Sequence, residues 1–271
     1  MSDQIAPALT CRVDSEVGTL RKVIVHRPGL EHTRLTPSNA EELLFDDVIW
    51  VKRAKEEHDA FCSVMRDRGV EVYEVKELLA ETLAIPEARA WILGRVLDER
   101  HVGVYIARRR REWAESVPPA EAAEFLIGGV TKSDLTEGEG LTYEASEPGD
   151  LLLPPVPNFL FQRDPSCWIY DGVTLNPMAK PARRPETAFM QAIYRWHPMF
   201  GEVKVWHGDV EQDWGRATVE GGDVMPIGNG AVMIGMGERT GPQAVTMIAR
   251  ELFKAGSARI VMAVQLPRSR H

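Results

Sequence analysis

A chain of 271 residues, 44% hydrophobic and 27% charged, has the composition of a folded protein and is long enough for one large domain or a domain with an insert. Its 32 basic and 40 acidic residues give a formal net charge of −8, which leaves no electrostatic footprint for nucleic acid or an anionic membrane. Cys11, Cys62 and Cys167 form an odd set without a Cys-x-x-Cys pair, so neither a disulfide framework nor a metal site is expected. Met1 to Cys11 lacks a basic start followed by an apolar run, and no later stretch reaches membrane-spanning length. The expectation is a cytoplasmic protein.

Lys22 to His26 predicts a short buried strand, closed by the turn pair Pro28-Gly29. Val51, Ala54, His58, Phe61, Cys62 and Met65 then recur at three- and four-residue steps, as the apolar stripe of a helix does, with Gly69 at the C-cap position. Val70 to Val75 predicts the next strand, and residues 12–75 make a first unit. From Lys76 the pattern turns helical, broken by Pro86, Pro118-Pro119 and Gly128-Gly129, which predicts a helical insert over 76–149. Within it, Arg108 to Arg111 followed by Glu112 and Glu115 fits a solvated helix face. Gly138 and Gly140 lack the spacing of a phosphate-binding loop, so no cofactor is expected.

Residues 150–271 carry the most informative pattern, because one order of elements occurs twice. Ser166 to Tyr170 and Val173 to Leu175 predict a hairpin turning at Asp171-Gly172, followed by a helix from Glu186 to His197 and a strand from Val203 to Trp206. In the second copy Val224 to Ile227 leads through Gly228-Asn229-Gly230 to Ala231 to Met236. A helix from Pro242 to Lys254, the cap candidate Gly256 and a strand from Ala258 to Val264 follow. Two ββαβ units of similar length imply a repeat in which each unit buries a flank against its neighbour.

Charged residues repeat with the elements. Asp164 precedes the first hairpin and Arg183 its helix, while Asp223 and Arg239 hold the corresponding places in the second copy. Any one of them alone fits a surface ion pair; together they fit convergence on one centre. Carboxylates match a planar cation and arginines match a carboxylate, so such a centre suits a molecule with a guanidinium at one end and an acid at the other.

Five motifs extend this reading: Glu16-Val17-Gly18-Thr19-Leu20-Arg21-Lys22-Val23, Leu43-Leu44-Phe45-Asp46-Asp47, Phe161-Gln162-Arg163-Asp164, Asn176-Pro177-Met178 and Glu220-Gly221-Gly222-Asp223-Val224. In this order, with a helical insert after the second, they resemble bacterial arginine deiminases, members of the guanidino-group modifying superfamily. The resemblance implies an α/β fold, a pentein-type propeller of ββαβ units with about three of five present, and an inserted helical domain. It implies that Asp164 and Glu220 receive the substrate guanidinium as catalytic carboxylates. Asn158, Arg183 and Arg239 would orient the amino-acid end, Phe161 would wall the pocket and Leu44 would touch the substrate. Asp223 is expected to orient its neighbours or shape the turn.

In that family a cysteine attacks the guanidinium carbon and a histidine in a His-Leu-Asp-Thr motif moves protons. Neither motif occurs in this sequence, and His271 is not that histidine. Cys62 on an apolar stripe and Cys167 within a strand fit packing. The implied function is hydrolysis of L-arginine to L-citrulline and ammonia in arginine catabolism, with this chain expected to be an inactive truncated form. No cofactor is implied, L-arginine is the expected small-molecule partner, and a homo-oligomer fits as well. The alternatives are a non-catalytic arginine-binding or interaction protein derived from the enzyme, or another guanidino-modifying enzyme such as an agmatine deiminase, a dimethylargininase or an amidinotransferase. Arg183 and Arg239 favour a substrate with an α-carboxylate over agmatine.

Overall fold

Turn and cap chemistry sets most of the boundaries in the computed structural model, which describes residues 11–135 and 138–267. The expectations for Met1 to Thr10 and for His271 lie outside the described residues. The chain forms two units of mixed α/β structure, one spanning Arg21–Leu160 and the other comprising Met1–Leu20 with Phe161–His271.

In the first of these, β1 (Lys22–Val25) and β2 (Glu71–Glu74) pair in parallel. The short α1 (Leu30–Thr33) and the longer α2 (Val51–Arg66) connect them. Cys62 and Met65 of α2 bury against Val25, with Val23, Val70 and Val72 beside them. Phe61 is a correction to the predicted stripe: it is exposed, because it lies one residue, about 100°, round the helix from Cys62. Gly69 takes a φ of +77° at the chain reversal after α2, a region open to glycine without steric cost.

Five helices follow directly: α3 (Val75–Leu83), α4 (Pro86–Val96), α5 (Glu99–Val102), α6 (Val104–Ser116) and α7 (Pro119–Gly128). Pro86 and Pro119 open their helices in the first turn, where the missing N–H has no intrahelical partner to lose. Leu79, Leu83, Ile92, Leu93, Ala123 and Ile127 build the core of this part. Strand β3 (Val130–Thr131), the short α8 (Leu141–Glu144) and β4 (Leu151–Leu153) complete the unit, with β3 and β4 antiparallel.

A buried ionic cluster lies at the ends of β1 and β2. His26, 1% exposed, reaches Glu74 Oε1 through Nδ1 at 3.0 Å and Glu31 Oε1 through Nε2 at 3.1 Å. Glu31 Oε1 also meets His32 Nδ1 at 2.7 Å and accepts the Gly29 N–H at 2.6 Å. Burial alone would depress His26, but its hydrogen bonds to Glu31 and Glu74 more than offset this and push it up to about 9.

The other unit contains the two ββαβ copies. Strands β5 (Ser166–Ile169) and β6 (Gly172–Leu175) are antiparallel, α9 (Arg184–Trp196) follows, and β7 (Val205–His207) returns parallel to β6. In the same order β8 (Val224–Gly228) and β9 (Ala231–Met236) are antiparallel, α10 (Pro242–Lys254) follows, and β10 (Ile260–Gln265) returns parallel to β9. The first turn is corrected by one residue. Ile169 pairs with Gly172, so Tyr170-Asp171 turns the chain, and Tyr170 carries the positive φ of +53°. In the second, Asn229 and Gly230 have φ of +53° and +72°, which matches a type I′ hairpin turn.

The two copies share one core. Cys167, Ile169 and Trp206 of the first pack with Val224, Val232 and Ile234 of the second and with Ala244, Ile248 and Leu252 of α10. An N-terminal stretch stitches both hairpins, since Val13 bridges to Tyr170 and Ser15 to Ile227. The last sheet has the order β10-β9-β8. Its row of Met225, Met233 and Met262 lies on one face, and Met225, Ile227, Ile260, Met262 and Val264 are exposed.

Candidate functional site

Asp164 ends the turn Phe161 to Asp164, its N–H donating to Phe161 O at 3.1 Å, immediately before β5. Two donors fix its carbonyl: Asn176 Nδ2 at 2.6 Å and Gly221 N at 3.1 Å. Its side chain accepts the Gly222 N–H on Oδ1 at 3.0 Å and Arg183 Nη1 on Oδ2 at 2.9 Å. Gly221 must be a glycine for this approach, because a Cβ there would stand 2.0 Å from Arg163 O.

Glu220 faces the same guanidinium from the second copy. Oε2 accepts Arg183 Nη1 at 3.3 Å and Oε1 accepts Arg239 Nη1 at 2.8 Å. Thr240 holds the Glu220 backbone, its Oγ1 accepting the Glu220 N–H at 3.1 Å while donating to Asp223 Oδ2 at 2.5 Å. Asp223 therefore touches the site through Thr240. Burial pushes its carboxyl up.

Arg183 is the hub. It closes a short 3-10 turn, Pro181–Arg183, that leads into α9. Its Nε and Nη2 fork onto Glu186 Oε1 and Oε2 at 3.0 and 2.9 Å, a bidentate geometry that fixes the plane of the guanidinium. Burial disfavours the charged form, and the charges of Glu186, Asp164 and Glu220 more than offset it, so Arg183 stays protonated. Glu186 is wholly buried, and burial together with the like charges of Asp164 and Glu220 pushes it up to about 7 against the pull of Arg183. Side-chain exposure rises from 4% at Arg183 and 10% at Glu220 to 19% at Asp164 and 23% at Arg239. The cluster thus opens to solvent at Asp164 and Arg239.

Asp164, Arg183, Glu220 and Arg239, picked out from the sequence, therefore lie in one hydrogen-bonded cluster. Phe161 is half exposed at the start of the Asp164 turn. Leu44 and Asn158 belong to the other unit, where Asn158 Nδ2 donates to Leu43 O at 2.6 Å and Leu44 holds a φ of +63°. Glu186 and Thr240 were missed. An acid three residues after Arg183, in the first turn of a helix, is also what any helix start displays, so the sequence carried no distinctive signal for Glu186.

The thiols are placed for packing. Cys167 is 1% exposed, its Sγ lies 3.0 Å from Thr174 Oγ1, and burial pushes it up. Cys62 is buried beside the His58 ring, with its pKa likewise raised by burial. Of the arginine run, Arg108 and Arg111 line a cavity of about 550 Å³ in the helical part together with Glu112 and Glu115. None of the predicted site residues lines it. Among the described residues there is no group of three or more His, Cys, Asp or Glu placed to hold a metal ion. No helix among them is long and apolar enough to cross a membrane.

A sequence model described as arginine deiminase matches residues 41–271. The chain belongs to the arginine deiminase family. Among solved structures, a dimethylarginine dimethylaminohydrolase from Pseudomonas aeruginosa complexed with citrulline is 16% identical at a TM-score of 0.49, covering 94% of this chain and 64% of its own. Another dimethylarginine dimethylaminohydrolase, an adduct with S-methyl-L-thiocitrulline, is 16% identical at 0.48, covering 93% and 63%. An amidinotransferase from Microseira wollei is 12% identical at 0.46, covering 93% and 64%. This arginine deiminase family chain spans less than two thirds of the length of these structures.

Proposed function

We propose that this chain supplies the arginine-holding part of an arginine deiminase, which hydrolyses L-arginine to L-citrulline and ammonia. The observation that carries the proposal is the convergence of Asp164 and Glu220 on one guanidinium, that of Arg183, with Arg239 beside Glu220 at the more exposed rim. A planar guanidinium can donate to two carboxylates at once, so the pair suits the guanidinium of a ligand as well. In this reading Asp164 and Glu220 receive the guanidinium. Arg183 and Arg239 orient the amino-acid end, with Phe161 as a wall. The two ββαβ copies, with β1 and β2, correspond to three units of a pentein-type propeller that carries a helical insert.

Holding a guanidinium does not cleave it. Attack on its carbon needs a thiolate and a route for protons, and burial keeps the thiols of Cys62 and Cys167 protonated. L-Arginine is therefore expected to bind the purified chain saturably in a calorimetric titration, and agmatine about tenfold or more weakly, since it offers Arg183 and Arg239 no α-carboxylate. The same mixture should release no citrulline. Equal affinity for the two ligands would remove Arg183 and Arg239 from carboxylate recognition. Citrulline release abolished by Cys167→Ala would make that buried thiol the nucleophile.

The buried thiols also favour a second reading, a module that binds arginine without converting it. Saturable binding with no turnover in any longer natural form of the chain would establish that reading.

A further inference from the structure

The turn from Glu220 to Val224 carries the second copy's share of the proposed site, and the first copy holds it from two sides. Its N–H groups face Asp164: Gly221 N donates to Asp164 O at 3.1 Å and Gly222 N to Asp164 Oδ1 at 3.0 Å. Its carbonyls face Arg163, whose Nε donates to Gly221 O at 3.0 Å and whose Nη2 donates to Val224 O at 2.5 Å. Two adjacent residues of opposite charge thus grip both polarities of one turn. Glu16, from the N-terminal stretch, closes the arrangement, its Oε1 and Oε2 accepting Arg163 Nη2 and Nη1 at 2.5 and 3.3 Å. Three of the five sequence motifs meet at this one guanidinium.

We infer that Arg163 is a positioning residue that sets where Glu220 stands relative to Asp164, and through that the fit of the pair to a guanidinium. The inference rests on the reading of Asp164 and Glu220 as the guanidinium-binding pair, and it adds the residue that fixes their separation. Glu220 immediately precedes Gly221, whose carbonyl Arg163 holds, so a shift of the turn carries the carboxylate with it. A planar guanidinium can bond two carboxylates only where both stand in its plane, and a looseness of about 1 Å in the supporting residues is enough to spoil such a site. The rigid fork of an arginine can span several acceptors in one fixed geometry, which a lysine ammonium on its flexible stem does not. The positive charge of Arg163 by itself repels a bound cation. Its charge and its positioning therefore act on guanidinium binding with opposite signs.

The test titrates L-arginine by calorimetry into the whole chain and its variants. The Arg163 side chain is 40% exposed, so replacing it opens no cavity in the core. Arg163→Lys keeps the charge opposite Glu16 and loses the fork; it is expected to bind L-arginine at least tenfold more weakly. Arg163→Met is expected to weaken binding as much, although relief of charge repulsion alone would tighten it. Glu220→Gln is expected to cost less affinity in the Arg163→Met background than in the unmodified chain, because the carboxylate it alters is already out of place. A general loss of packing would instead leave the two losses multiplying. Should Arg163→Met lower the Tm, the same cycle is run with Arg163→Lys. Either Arg163 variant binding as tightly as the unmodified chain overturns the inference, and so do losses that multiply. The underlying reading fails separately, if Glu220→Gln alone binds L-arginine as well as the unmodified chain does. An unmodified chain that binds no L-arginine removes both.

Discussion

Raising the pH from 6 to 10 is expected to remove about 3 kcal/mol of stability from the Arg21–Leu160 unit, and His26→Gln should abolish most of that dependence. His26 moves from 6.5 in the unfolded chain to about 9 in the fold, and each tenfold gain in proton affinity is worth about 1.4 kcal/mol. A histidine whose pKa is raised by folding adds stability fully below its unfolded value, and loses it as pH climbs through the folded one. The window is therefore about 6.5 to 9. Around the ring stand Glu31 and His32 from α1, Glu74 from β2 and the partly buried His58 from α2. Glu31 is lowered, burial being outweighed by its bonds to His26 and His32. On the acid side its stabilisation is present above the ordinary carboxylate range and fades as pH falls. Thermal unfolding across this range, followed by a signal from this unit, reads the effect. The same alkaline slope in His26→Gln as in the unmodified chain would assign it to another group.

Asp164→Asn and Glu220→Gln should each weaken L-arginine binding by about 10- to 100-fold. Both substitutions keep size and one acceptor oxygen while removing the charge that faces a guanidinium. A hydrogen bond to a charged group contributes about 1.5–3 kcal/mol, which converts to that range of affinity. An unchanged Kd in either variant, with an unchanged Tm, would place arginine elsewhere.

The sequence displays what local chemistry encodes and conceals what only the folded chain brings together. Both ββαβ copies are visible, because Asn229-Gly230 specifies its turn, Pro242 opens α10 in its first turn, and strand and helix periods switch cleanly. The first turn slipped by one residue because Asp171-Gly172 has the better turn composition, yet pairing of Ile169 with Gly172 sets the register. Asp164, Arg183, Glu220 and Arg239 stood out through repetition and motif. Thr240 did not, since a threonine linking Asp223 to the Glu220 backbone has no pattern of its own. The His26 cluster was equally hidden: Glu74 lies 48 positions along the chain, and no period connects the two.

The edge position of β10 has a consequence for how this chain refolds. Strands β8 and β9 meet across a two-residue turn, a contact that forms in about 1–10 μs. Strand β10 instead pairs with β9 across α10, with Gln265 and Met236 lying 29 positions apart, so it joins only after a longer loop has closed. Until then Ile-Val-Met-Ala-Val-Gln, from Ile260 to Gln265, is an uncharged, proline-free, β-prone hexapeptide with open backbone on both sides. Such segments stack readily with copies of themselves. Collisions between chains therefore compete with the last pairing step, and the yield on dilution from denaturant falls as protein concentration rises.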